Sequence, residues 1–401
     1  MKILMLSDVY FPRVNGVSTS MQTTCRELVR LGHEVTVVAP DYGGAEPPSE
    51  FEVLRLASRR IFFDPEDRLI TAAALAPALA LLAQRRWDVI HVHTPFRAHQ
   101  IGVRLGRAAG IPVVESYHTY FEQYVAHYLP WLPARATRLA VRAGSRRLCR
   151  GVDHLIVPTA EMAQVLRDYG IDTPASVIPT GIRLEEFAGG DGAAFRRLHG
   201  IGAEQPVLVT VSRVAAEKNI DFLIEVAQAL VAEFADLVFV IAGEGPDAGR
   251  LRTLTATLGL DRNVQFVGNL DRGTSLLDCY RAGDVFVFAS STETQGLVLI
   301  EAMALGVPIV STAQMGTATV LAGAGCARVS AKDVPEFAAH IASLLRSPVQ
   351  RRELAAAAPE DARRWSAPVL VQRVVDLYAR LASRAAEGPD PQMHRADPVA
   401  P

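Results

Sequence analysis

Short apolar, β-branched runs alternate along the whole chain with stretches whose apolar residues recur every three or four positions. In the first half Lys2–Leu6, Glu34–Ala39, Val89–Val92, Pro112–Glu115 and His154–Val157 read as strands. In the second half Val207–Val211, Leu237–Ile241, Val264–Val267, Val285–Phe288 and Pro308–Val310 do the same. Between them, segments such as Ser18–Leu31 and Asp221–Phe234 carry apolar residues at helical spacing. Strands separated by helices form parallel sheets covered on both faces. The series restarts after Ile178-Pro-Thr-Gly181 and the stretch Gly189–Gly192. The pattern therefore predicts an α/β chain of two doubly wound domains, with ligand in the cleft at the carboxyl ends of the strands. After Gly388 the tail is rich in Pro, Ala and Asp without periodicity, which predicts disorder.

The length of 401 residues agrees with two domains of roughly 180 residues each. A net charge of -2 supplies no bulk field for nucleic acid. Cys25, Cys149, Cys279 and Cys326 are scattered without pairing or metal spacing, so a reduced cytosolic setting is expected. The opening apolar run ends at Ser7-Asp8, too early for a signal peptide, and Leu69–Ala83 is too short to cross a bilayer. The expectation is a cytoplasmic protein, at most peripheral on the inner face of the plasma membrane.

The densest chemistry lies in Ser290–Pro308, directly after the buried-strand candidate Asp284–Ala289. A polar turn with Gly296 leads into an apolar helix, which aims backbone N–H groups and the positive dipole end at an anion. Glu293 and Glu301 flank that junction. Carboxylates would repel a phosphate but accept hydrogen bonds from hydroxyls, and an anion beside hydroxyls describes a nucleotide-sugar. Arg213 and Lys218 close the first strand of the second half, where two cations would neutralise a diphosphate and stabilise its departure. Such a pair in a loop is also what solvated surface charge looks like.

In the first half, Asn15-Gly16 reads as a tight turn before the first helix, close enough for a diphosphate to meet the backbone. The same residues fit an ordinary turn with Ser18 as the N-cap. No G-x-G-x-x-G is present, which argues against a nicotinamide dehydrogenase. His118, just past a strand end, could donate to a sugar hydroxyl or carbonyl, or be structural. His91 and His93 share one sheet face, yet no third ligand is near in sequence, and no metal is expected. The segment Gln123–Val152 is purely basic. Arg135, Arg138, Arg142 and Arg146 gather on one helical face downstream of Tyr124, Tyr128 and Trp131. This reads as attachment to an anionic membrane surface, with a solvated arginine face as the alternative.

These residues together resemble the family 4 retaining glycosyltransferases of GT-B fold, over about residues 1–383. The resemblance rests on Val14-Asn-Gly-Val17, Tyr117-His-Thr-Tyr120, Ile178-Pro-Thr-Gly-Ile182, Ser212-Arg213 with Glu217-Lys218, Gly243-Glu-Gly-Pro246 and Thr292-Glu-Thr-Gln-Gly-Leu297 with Glu301. The details look most like bacterial diacylglycerol glucosyltransferases. The resemblance implies two Rossmann-like domains facing each other across a cleft. Residues 1–179 would form the acceptor side and 180–362 the nucleotide-sugar domain. A helix over 363–383 would return towards the first domain, ahead of a disordered tail at 384–401.

It also implies roles. The backbone at Gly16 would meet the donor phosphates, and Arg213 and Lys218 would hold the diphosphate. Glu293 would take hydroxyls of the transferred sugar and Glu301 those of the ribose. Gln295, Gly296 and Leu297 would line sugar and phosphates, the loop after Gly268 would receive the base, and His118 would stand near the C6 hydroxyl. Many relatives have two glycines where this chain has Asn15-Gly16. Transfer would retain the anomeric configuration, without metal or cofactor, by front-face attack or by double displacement on Glu293. The expected partners are UDP-glucose, a lipid such as diacylglycerol and an anionic membrane surface. The alternative is GDP-mannose or another nucleotide-sugar with a soluble or polysaccharide acceptor.

Overall fold

The structure, a computed structural model, describes residues 1–44, 49–61, 64–118 and 134–387. Among these, residues 1–118, 134–181 and 368–387 form one compact unit and residues 182–367 a second.

The first unit carries β1 (Lys2–Leu6), β2 (Glu34–Pro40), β3 (Glu52–Leu56), β4 (Ser58–Ile61), β5 (Asp64–Ile70), β6 (Val89–Val92), β7 (Val113–Ser116), β8 (His154–Val157) and β9 (Ala175–Val177). Seven of them make a parallel sheet in the order β3-β2-β1-β6-β7-β8-β9, and β4 and β5 form a separate antiparallel hairpin. β6 and β7 are buried along their full length, as strands covered on both faces must be. β7 begins at Val113 and not at Pro112, because proline has no N–H for the ladder; its carbonyl still accepts from Ile90 N–H at 3.0 Å.

The sequence pattern missed β3, β9 and the hairpin. β3 is only half-buried along most of its length and β9 is three residues long, both at sheet edges. The hairpin strands carry Arg59, Arg60, Asp64, Glu66, Asp67 and Arg68 and so present no apolar run. The apolar stretch at 69–83 divides between the end of β5 and the helix Leu75–Leu82.

The second unit carries β10 (Val207–Val211), β11 (Val238–Ala242), β12 (Val264–Gly268), β13 (Val285–Phe288), β14 (Ile309–Ser311) and β15 (Ala327–Val329). They form a parallel sheet in the order β12-β11-β10-β13-β14-β15. One face buries Val207, Val209, Val240, Phe286 and Phe288 against Tyr280, Leu299 and Met303; the other buries Leu208, Phe239, Ile241 and Val287 against Leu223, Ile224 and Phe337. The helix Ala367–Glu387 starts just after Trp365. Its Val371, Val374, Leu377 and Tyr378 pack with Ile3, Met5, Val37 and Val89 in the core of the first unit.

The direction of strand succession reverses between β1 and β6 in one sheet and between β10 and β13 in the other. At such a switch point the flanking loops diverge and leave a crevice at the carboxyl ends of the strands.

Candidate active site

In the second unit the loop after β10 carries Arg213 and Lys218, and the loop after β13 carries Glu293, so both border the same switch point. Lys218 Nζ donates to Glu293 Oε1, joining residues 75 positions apart. Both side chains are partly exposed, 17% and 19%, so the pair is open to a ligand.

Two devices fix the loop after β10. Gly243 has φ +125°, and a Cβ there would lie 1.9 Å from the Ser212 carbonyl oxygen. Only glycine lets that loop press against the backbone beside Arg213, which is itself half-buried. Asn219 adopts the left-handed conformation with φ 52°, donates through Nδ2 to the Ala289 carbonyl at 2.8 Å and accepts from Lys332 Nζ at 2.7 Å. It ties the residue after Lys218 to the end of β13. Asn219→Ala is expected to be roughly 1 kcal/mol less stable than Asn219→Gly, since only glycine keeps the left-handed backbone without strain. Equal denaturation midpoints for the two variants would contradict this.

Gly296, at φ +89°, turns the chain into the helix Leu297–Ala304, whose first turn has no side-chain cap. Its leading N–H groups can therefore serve an anion. Gln295 is buried beside it, and Gly316 N–H donates to the Glu293 carbonyl at 2.9 Å. Glu301, 2% exposed, lies one turn into this helix. Its contacts are not with Lys218 but with Arg272, 2.5 Å from Oε1, and with the Tyr280 hydroxyl, 2.8 Å from Oε2. The Glu301 charge raises the Arg272 pKa, while burial and the same carboxylate push the Tyr280 hydroxyl well above its ordinary value. Arg272 comes from the loop after β12, which begins at Gly268 with φ +72°. Asn219, Arg272 and Tyr280 were not among the expected site residues. For Asn219 a signal existed: an asparagine, tolerant of positive φ, directly after the lysine.

In the first unit the expected turn at Asn15-Gly16 is corrected. Asn15 has extended backbone and is itself the N-cap of the helix Gly16–Arg30. Its side chain accepts from Ser18 N–H at 2.9 Å and its N–H donates to Ser18 Oγ at 2.9 Å. Ser18 completes this reciprocal cap at the third helical position, where the sequence alternative made it the cap itself. Gly16 needs no positive φ, and a Cβ there would meet nothing within 4 Å. Neither strain nor packing requires that glycine.

His118 is half-buried after β7, with Nε2 3.0 Å from His93 Nδ1 and the two rings stacked. His91 contacts the Tyr378 hydroxyl at 2.5 Å and Ser116 Oγ at 2.8 Å. His118 thus joins the two histidines that sequence alone left without a neighbour. Among the described residues no group of His, Cys, Asp or Glu is arranged to hold a metal. Burial lowers the pKa of His91 to about 3 and of His118 to about 4, and burial with its histidine neighbours holds His93 well below the ordinary value. Unfolded histidines take up protons near pH 6.5 and these three do not, so their stabilisation is complete above that pH and is lost as pH falls towards 4 and below. Asp8, raised by burial to about 6, works in the opposite sense but is one group against three. Melting temperature should therefore drop between pH 7 and pH 5, with about 1.4 kcal/mol lost per unit below the unfolded value for each histidine that stays neutral in the fold. An unchanged melting temperature across that range would contradict the assignment.

Tyr124, Tyr128, Trp131, the side chain of Arg135 and the tail 388–401 lie outside the described residues. On the helix Ala134–Cys149, Arg138, Leu139 and Arg147 are exposed, as is Arg150 just beyond it. Arg142 stacks over the Tyr169 ring, 5.1 Å from its centroid, and Arg146 is half-buried, so these two are not part of a freely solvated stripe. No helix among the described residues is long and apolar enough to cross a membrane.

Comparison with known proteins follows the same division. Residues 14–186 match Glycosyltransferase Family 4 and residues 193–363 match Glycosyl transferases group 1. The chain is 32% identical to an alpha-monoglucosyldiacylglycerol synthase of Streptococcus pneumoniae, over 78% of this chain and 71% of that protein. It is 27% identical to a GDP-mannose-dependent alpha-mannosyltransferase of Mycolicibacterium smegmatis, over 96% and 98%. Its fold is similar to that of an Anabaena protein solved in complex with UDP, with a TM-score of 0.75 and 18% identity, covering 95% of this chain and all of that one. With two parallel-sheet units, each carrying its own switch point, this chain belongs to the family 4 glycosyltransferases of GT-B fold.

Proposed function

We propose that this glycosyltransferase moves glucose from UDP-glucose to a lipid acceptor of the diacylglycerol class, with retention of the anomeric configuration and without a metal ion. The observation that carries the reading is the juxtaposition of Lys218 and Glu293 at the switch point of the second unit. A cation in contact with a carboxylate offers one group to a diphosphate and the other to sugar hydroxyls. An incoming diphosphate would compete with Glu293 for Lys218 and release that carboxylate for the sugar.

Arg213 and Lys218 then stabilise the charge that grows on the departing diphosphate, the task a metal ion performs elsewhere. Gln295, Gly296, Leu297 and the uncapped N–H groups of their helix line the phosphates and sugar, Glu301 takes the ribose hydroxyls, and the loop after Gly268 takes the base. In the first unit the backbone at Gly16 would meet phosphate, and His118 would serve a sugar hydroxyl. The departing phosphate would take the proton of the acceptor hydroxyl as that oxygen attacks on the same face. Double displacement on Glu293 is the other route to retention.

The lipid acceptor is supported by the likeness to a glucosyldiacylglycerol synthase and by three exposed arginines, Arg138, Arg147 and Arg150, in a segment without acidic residues. Such arginines would hold the enzyme on the anionic cytoplasmic leaflet, each one that reaches the surface contributing about 1 kcal/mol. The protein is expected to float with anionic vesicles, and Arg138, Arg147 and Arg150 changed together to Glu should abolish flotation. Wild-type protein left in the pellet would refute membrane docking. A thermal-shift panel of UDP-, GDP- and ADP-sugars tests the donor, since a bound ligand raises stability by RT ln(1 + [L]/Kd). Stabilisation by GDP-mannose alone would favour the second reading, to which the mannosyltransferase relative points: mannose transfer, with a soluble or polysaccharide acceptor.

A further inference from the structure

We infer that His93, held by Met5, fixes the tautomer of His118, so that the His118 ring carries its proton on Nε2 and a lone pair on Nδ1. The inference rests on the role proposed for His118 and reverses the polarity that sequence alone gave it, from donor to acceptor.

Four observations lead there. His93 Nδ1 and His118 Nε2 are 3.0 Å apart, so one of the two nitrogens carries the proton between them. The second His93 nitrogen, Nε2, lies 3.4 Å from Met5 Sδ. A thioether has no proton and can only accept. His93 is 4% exposed and Met5 fully buried, so the sulfur contact sits inside the fold.

Burial keeps both histidines neutral, and each ring therefore has a single N–H. If that N–H of His93 were on Nδ1, the Nε2 lone pair would face the lone pairs of sulfur. With the proton on Nε2 the contact becomes N–H···S, and Nδ1 is left as an acceptor. The proton between the rings then belongs to His118 Nε2. β1 and β6 set this geometry: they are paired neighbours, Met5 stands opposite His91, and His93 follows one residue beyond β6.

His91 offers no such polarity, because both its partners, Tyr378 and Ser116, are hydroxyls able to donate or accept. Met5 is what makes the His93 assignment one-directional. A His118 of this tautomer accepts a hydrogen bond at Nδ1 and cannot act there as a general acid. His93 is thus a positioning residue and Met5 its anchor.

The test is a long-range 15N–1H correlation spectrum of the full chain with 15N-labelled histidine, assigned through His93→Asn and His118→Ala. Both His93 and His118 should show the Nε2–H pattern. An Nδ1–H pattern at His118 would overturn the inference. Turnover provides the second arm. Asn can place its carbonyl oxygen where Nδ1 of His93 stands, whereas Leu offers no acceptor. His93→Asn is therefore expected to retain about tenfold more kcat than His93→Leu, with donor Kd alike in both, the scale of one hydrogen bond. Equal kcat for the two variants would remove the positioning role. Wild-type turnover in His118→Ala would instead refute the role of His118 in transfer, while the wild-type spectrum would still decide the tautomer.

Discussion

Lys218→Ala should lower the rate of sugar transfer by about 10²-fold or more while leaving the chain folded, the scale seen when a charge partner of the transition state is removed. The two expectations have separate physical grounds. Lys218 sits in a short turn after β10, and its side chain contacts Glu293 rather than the apolar core. Glu293 is 19% exposed, so water can solvate it when the ammonium is gone, and the stability cost is small. The rate would suffer because, in the proposed reaction, negative charge grows on the diphosphate as the glycosidic bond breaks, and Lys218 would supply half of the cationic pair available to it. Lys218→Arg would recover only part of the rate, since a planar fork does not replace a point charge. Single-turnover transfer, with a melting curve on the same sample, separates the effects. Transfer at the wild-type rate would defeat the leaving-group argument.

Removal of the Glu301 carboxylate is expected to weaken donor binding by about 10²-fold, because hydrogen bonds to a charged acceptor are worth about 1.5–3 kcal/mol each. Glu301→Ala would also leave the Arg272 guanidinium and the buried Tyr280 hydroxyl without their shared partner. Arg272 is 37% exposed and water can solvate it, but the Tyr280 hydroxyl is buried, so part of the loss in that variant would be structural. Glu301→Gln keeps the volume and one oxygen, and is the sharper probe. Titration calorimetry with UDP should show the loss of affinity in Glu301→Gln at a melting temperature still high enough for measurement. Wild-type affinity together with a lowered melting temperature would reduce Glu301 to a structural tie between its helix, the Tyr280 helix and the loop after β12.

Much of the fold is legible in the sequence because central parallel strands are buried on both faces and leave apolar runs such as Val285–Phe288. The edge strands are not. β15 is three residues with Arg328 at its centre, and β3 is half polar, so neither shows a continuous run. The proximity of Lys218 to Glu293 is legible for a topological reason: both follow strands that a doubly wound sheet sets side by side. The surroundings of Glu301 are not, since Arg272 and Tyr280 come from a different loop and helix and no local pattern ties them to it. Asn15 illustrates a third kind of gap. An asparagine before a glycine fits a turn as well as an N-cap, and only the backbone, extended at Asn15, decides between them. On the basic helix, spacing places Arg138, Arg142 and Arg146 along one side, but it cannot show that Arg142 packs on Tyr169.

The most direct measurement is the reaction itself: purified protein, UDP-glucose labelled with 13C at the anomeric carbon, and diacylglycerol in anionic vesicles, followed by NMR. The expected result is a single new anomeric signal of an α-linked glucosyl lipid, formed with chelator present and nearly abolished in Lys218→Ala. A β-linked product, a requirement for added metal, or intact donor with no glycolipid would contradict it.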